Sequence, residues 1–142
     1  GDHRDLHSFP TRRSSDLGRR KLVGVEPFNA PTLTQALEHG PQTTVEVSGL
    51  AANALGAKQA GRICYDLARA TGTNCVNVED EAIADAQKRL WTALRLVVEP
   101  AGAAALAALL SGAYRPQKDE RLAVLLCGAN PAASPFGPAK LQ

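Results

Sequence analysis

The sequence predicts an α/β fold, a partial three-layer parallel sheet with flanking helices. Three observations carry that expectation. Short apolar runs at residues 21–25 and 121–126 read as buried strands, and 74–78 is a further strand candidate. Segments with apolar residues at helical spacing lie between them. Proline and glycine punctuate the joins. Short strands alternating with helices argue for parallel pairing, and three strands are too few for a complete doubly wound sheet.

In chain order, residues 1–17 (GDHRDLHSFPTRRSSDL) show no helical or strand period. They resemble the in-frame translation of a sequencing-library adapter, and such a segment is set aside before fold reasoning. A basic nucleic-acid-binding tail is the rival reading, but three arginines face three aspartates there, so the segment has no net charge apart from its histidines. The expectation is a disordered segment over 1–17, a single domain segment over 18–130 that starts mid-protein, and a loose tail over 131–142.

Lys-Leu-Val-Gly-Val at 21–25 is the first strand. Pro27 and Pro31 bound a loop, and Pro31 suits the opening of the helix predicted over 32–38. Gly40-Pro41 stops that helix, and 43–47 is a short extended piece. Residues 57–70 carry Ala60, Ile63, Cys64, Leu67 and Ala68 at helical spacing, with Gly72 as C-cap. After the strand at 74–78, Asp80 is the expected N-cap of a helix reaching about Leu94. Ile83, Ala86, Leu90, Ala93 and Leu94 form its buried face. A further helix spans 101–111, ending at Gly112, and 121–126 is the last strand.

Composition excludes several classes. The chain has 142 residues and a net charge of +2, with its basic residues dispersed, so no nucleic-acid footprint appears. The longest apolar stretch, around 101–110, is too short to span a bilayer. Cys64, Cys75 and Cys127 are an odd set without metal spacing, which points to free thiols in a reducing cytoplasm.

Open α/β sheets bind ligands beyond the carboxyl ends of their strands, and Cys127 stands at such an end. It is either a polar atom offered to a ligand or simply a small buried hydrophobe. Glu99 precedes Pro-Ala-Gly-Ala at a helix start, where an acid also does nothing more than complement the helix dipole. Ala54 lies in an alanine-rich lead-in to a helix. His39 reads as a dipole partner at a helix end, and Trp91 and Tyr65 as core or interface residues.

Taken in order, Val25-Glu26-Pro27, Glu99-Pro100-Ala101-Gly102 and Cys127-Gly128-Ala129-Asn130 resemble the C-terminal part of the pyridoxal-phosphate serine/threonine dehydratases. These are fold-type-II enzymes of the tryptophan synthase beta superfamily. The resemblance covers most of residues 22–130.

It implies a C-terminal part of a pyridoxal 5'-phosphate lyase that eliminates ammonia from a small amino acid to give a 2-oxo acid. It implies that Cys127 faces the cofactor ring nitrogen with Gly128 in the cofactor-binding turn after it, that Glu99 tunes hydrogen bonding around the ring, and that Ala54 packs on its face. A neutral thiol donor there weakens the electron sink and suits β-elimination over transamination. Glu26 and the carbonyl of Ala30 match a cation site found in several members. Thr32 stands where that site has an acid, so a divalent ion, a monovalent ion or none is compatible.

No catalytic residue is assigned, because the family's Schiff-base lysine in S-F-K-x-R-G-A and its glycine-rich phosphate loop have no match. Lys58 lacks that setting. The polypeptide alone is therefore expected to be inactive, and the intact enzyme to be a homo-oligomer without nucleic-acid or membrane partners. Serine racemase, hydroxyaspartate dehydratase and threonine synthase are alternatives within the superfamily. A non-catalytic α/β interaction module and a βαββαβ amino-acid-binding domain are alternatives outside it.

Overall fold

The computed structural model describes residues 20–129. The adapter-like segment 1–17 and the tail 131–142 lie outside the described residues. The elements run β1 (Val23–Pro27), α1 (Thr32–His39), α2 (Arg62–Thr71), β2 (Asn74–Val78), α3 (Asp80–Leu94) and α4 (Pro100–Leu110). β1 and β2 pair in parallel, with Val25 opposite Val76 and Glu26 opposite Asn77. Parallel pairing requires a crossover, and α1 and α2 lie within it.

Strand alternation gives the sheet two unlike faces. Val25, Val76 and Val78 pack toward α3 and α4, in a core with Ile83, Ala86, Leu90, Val98, Ala103, Ala104 and Ala107. Small side chains on α4 let it lie close against α3, and Ala103 and Ala107 are fully buried. Gln87 is the polar member of that interior, and its Nε2 donates to the Val98 carbonyl at 2.8 Å. The opposite face carries Glu26 and Asn77, both within hydrogen-bonding reach of Thr34 Oγ1 on α1.

Four expectations need correction. The helix expected over 57–70 begins only at Arg62, because residues 58–59 are used in an extended bridge. Thr44 pairs with Gln59, and Val45 N–H donates to the Lys58 carbonyl at 2.8 Å. Lys58 itself pairs with Glu46 at the surface.

Asp80 is the first residue of α3, and Glu79 occupies the cap position without a side-chain cap bond. The Asp80 carboxylate instead accepts from Leu50 N–H at 2.8 Å and from Asn29 Nδ2 at 3.3 Å. It pins the 48–50 loop to the loop after β1.

Ala93 and Leu94 are exposed where burial was expected. The helix ends there at Arg95, a left-handed residue (φ 57°) whose guanidinium donates to the Trp91 and Thr92 carbonyls and lies over the Trp91 ring. Those bonds and the ring contact compensate a conformation that usually calls for glycine.

Residues 121–126 form no strand. Among the described residues the sheet has two strands, and no backbone hydrogen bond joins 121–126 to a neighbour. An apolar run becomes a strand only where a ladder partner is at hand. Val124 and Leu126 are half-buried, and Leu126 packs on the core.

Candidate functional site

Chain geometry brings residue 99 and residue 128 together. Val98 is held in the core, Pro100 opens α4 at its first position, and Glu99 is the cap residue in extended conformation. Glu99 N–H donates to the Gly128 carbonyl at 2.9 Å. This bond satisfies a donor that the helix start cannot, and it ties the 121–128 segment to the start of α4.

Two glycines make the approach possible. A Cβ on Gly102 would run into the Cys127 carbonyl, and one on Gly128 would run into the Glu99 carboxylate. Gly128 is also left-handed (φ 76°), a conformation open to glycine at little cost. Glu99 is half-buried and Cys127 exposed, so the sulfur is not sunk among aliphatic side chains. Three of the expected cofactor residues, Glu99, Cys127 and Gly128, thus meet at one junction beside the N-terminus of α4.

Ala54 is placed elsewhere. It is exposed in a run of turns over 49–55 and lines a cleft of about 220 Å³ with Glu26, Thr32, Leu33 and Cys64. A larger cleft of about 540 Å³ opens between Phe28, the end of β2 and Gly112. Neither is lined by Glu99, Cys127 or Gly128.

Glu26 caps α1. Its carboxylate accepts from Leu33 N–H, Thr34 N–H and Thr34 Oγ1, each at 2.8 Å. Pro31, the cap residue by position, has no side-chain oxygen to offer, and Glu26 takes over from the neighbouring strand. A cation bound by Glu26 and the Ala30 carbonyl would compete with those donors. Among the described residues, no group of three or more His, Cys, Asp or Glu is placed to hold a metal.

Burial on the sheet's polar face pushes the Cys75 thiol above the ordinary thiol range, and the nearby Glu26 charge adds to the effect. His39 ends α1 at the surface beside Glu38.

Sequence reasoning missed Thr34, Asn29 and Gln87. Each acts through a partner distant in sequence, and local periodicity carries no sign of it. Gly102 was legible only as a letter of a motif; its function is to admit the Cys127 carbonyl.

The profile of the pyridoxal-phosphate dependent enzyme family matches residues 9–128. A phenylserine dehydratase of Ralstonia pickettii is 33% identical over 116 residues, covering 82% of this chain and 36% of that protein. An L-threonine ammonia-lyase of Thermotoga maritima is 30% identical over 110 residues, covering 78% of this chain and 27% of that protein. The solved structure of a T.th. threonine deaminase superposes with a TM-score of 0.70 at 33% identity, covering 80% of this chain and 40% of that one. The chain therefore spans about a third of the length of the relatives it matches. At the junction the glycine-only backbone at 102 and 128 brings the Cys127 carbonyl and the Glu99 carboxylate up to the start of α4, with Cys127 itself exposed.

Proposed function

The chain belongs to the pyridoxal-phosphate dependent enzyme family, and from that premise we propose that it supplies the ring-nitrogen side of the active site of a threonine/serine dehydratase. The supporting observation is the Glu99–Gly128 bond, which holds the two motifs of the resemblance at one place. Pyridoxal phosphate, when bound, takes up the electron pair released as the α-proton of an amino acid leaves.

The residues of this chain set the conditions for that. Cys127 would offer the ring nitrogen a thiol hydrogen-bond donor in place of an acid. Glu99, its backbone fixed by the bond to Gly128, would border the ring and offer it a hydrogen-bond acceptor. Gly128 keeps the backbone clear of both. Ala54 lines a different cleft and has no part in this arrangement. The substrate is a small hydroxy-amino acid, and the net change is loss of ammonia to give a 2-oxo acid. A reducing cytoplasm suits the free thiols of Cys64, Cys75 and Cys127, and the working enzyme is a homo-oligomer.

The test is expression of the whole open reading frame and assay with L-threonine and L-serine. Equal yields of 2-oxo acid and ammonia support the reading. Inversion of serine without ammonia release would instead assign a racemase. No 2-oxo acid from either substrate overturns the dehydratase reading. The 142-residue polypeptide alone is expected to turn over neither, because it has no lysine in the setting the chemistry needs.

A further inference from the structure

We propose that Gln87 is a positioning residue for the Glu99–Gly128 junction. From inside the core between α3 and α4 it clamps the one peptide unit whose other end carries the bond to Gly128. Its relevance to catalysis rests on the dehydratase reading, and the clamp itself on geometry alone.

Gln87 stands one turn after Ile83 and one turn before Leu90, on the face of α3 that is otherwise apolar, and it is only 8% exposed. An apolar residue would satisfy the packing there. An amide in such a place costs free energy unless it is bonded. Its Nε2 donates to the Val98 carbonyl at 2.8 Å. Among the described residues no backbone N–H reaches that carbonyl, because residues 95–99 lie between α3 and α4 in neither helix nor strand.

The Val98 carbonyl and the Glu99 N–H are the two ends of one trans peptide and point in opposite directions. Gln87 holds the first end, and the Gly128 carbonyl holds the second at 2.9 Å. Either bond alone leaves the peptide plane free to rock about the line between its α-carbons. The two together fix it. Rocking would swing the Glu99 N–H off Gly128, and the Cys127 carbonyl, seated against Gly102, would lose its register with α4. Gln87 thereby acts on Glu99 and Cys127 through the backbone.

The test is Gln87→Met, which keeps a flexible side chain of similar length in the core and removes the donor. Gln87→Leu is made alongside. Amide hydrogen exchange is followed by NMR on the full 142-residue chain. The Glu99 amide is expected to exchange faster by about tenfold or more, while the amides of Leu90 and Ala104 stay within about twofold of wild type. In the protein expressed from the whole reading frame, kcat should fall by about tenfold with KM within about twofold of wild type. Unchanged Glu99 exchange in a folded variant overturns the clamp. Equal acceleration of Glu99, Leu90 and Ala104, or loss of folding in both variants, marks Gln87 as a general core residue and overturns it too. Faster Glu99 exchange with an unchanged kcat overturns the positioning function. A whole-frame protein without turnover on either substrate removes the dehydratase reading, and the exchange rates still decide the clamp.

Discussion

Gly128 lies so close to Glu99 that its carbonyl accepts the Glu99 N–H at 2.9 Å while a methyl group in place of its hydrogen would meet the Glu99 carboxylate. The relationship fixes the end of the 121–128 segment against the start of α4. Gly102, one turn into α4, meets the Cys127 carbonyl in the same way.

Gly102→Ala is therefore expected to destabilise the chain by about 1–3 kcal/mol, because the added methyl forces the backbone apart at a packed contact. Gly128→Ala adds the left-handed penalty, about 1–2 kcal/mol, to its own clash. Urea denaturation of both variants checks this, and a midpoint equal to wild type in either would contradict the close approach.

Glu26→Gln removes the charge from the cap of α1 and leaves one good acceptor where there were two. A loss of about 1–2 kcal/mol is expected, in line with loss of a charged N-terminal cap. The same denaturation curves in the presence of magnesium or calcium report whether a cation gains access to Glu26. A cation that binds there would raise the wild-type midpoint and leave the variant unmoved.

Ala107→Leu drives three extra carbons into the contact between α3 and α4, where Ala107 is fully buried. Overpacking of this kind costs about 1–3 kcal/mol. Ile83→Ala, in the same core, removes a fully buried side chain and is expected to cost about 2–5 kcal/mol. Thermal unfolding by circular dichroism ranks the two.

The three thiols should separate by reactivity. Cys64 and Cys127 are exposed, whereas Cys75 is half-buried with its thiol form favoured by burial and by the Glu26 charge. Iodoacetamide followed by mass spectrometry should modify Cys75 last. The folded state holds the proton of Cys75 more tightly than the unfolded state. Its contribution to stability is complete below the ordinary thiol value and falls as pH rises through the raised one. Cys75→Ser should flatten that alkaline decline.

Tyr114 joins Lys21 to Glu120. It accepts from Lys21 Nζ at 3.1 Å and donates to Glu120 Oε1 at 2.6 Å. The Tyr114 hydrogen bond raises the Lys21 value and lowers that of Glu120. The Lys21 contribution is present below its unfolded value and lost as pH rises through the raised one. The Glu120 contribution is present above its unfolded value and lost as pH falls through the lowered one. The stability difference between wild type and Tyr114→Phe should therefore be largest at intermediate pH and shrink at both extremes.

The sequence by itself determined the local elements and the motifs. β2 was legible because Cys75, Val76 and Val78 stand between Gly72 and the Asp80 helix start, and α1, α3 and α4 because helical spacing and the prolines and glycines that bound them are written in adjacent residues. Glu99, Cys127 and Gly128 were legible as letters of a family pattern. Only the tertiary structure decided what distant segments do to one another. It delayed α2 by spending residues 58–59 on a bridge to Thr44, turned Asp80 from cap to loop anchor, and assigned Glu26 to α1. Among the described residues it also gave 121–126 no ladder. The physical reason is common to all four. Propensity and capping act over a few residues, whereas a strand, an anchor or a close glycine contact exists only when a partner far along the chain arrives within hydrogen-bonding distance.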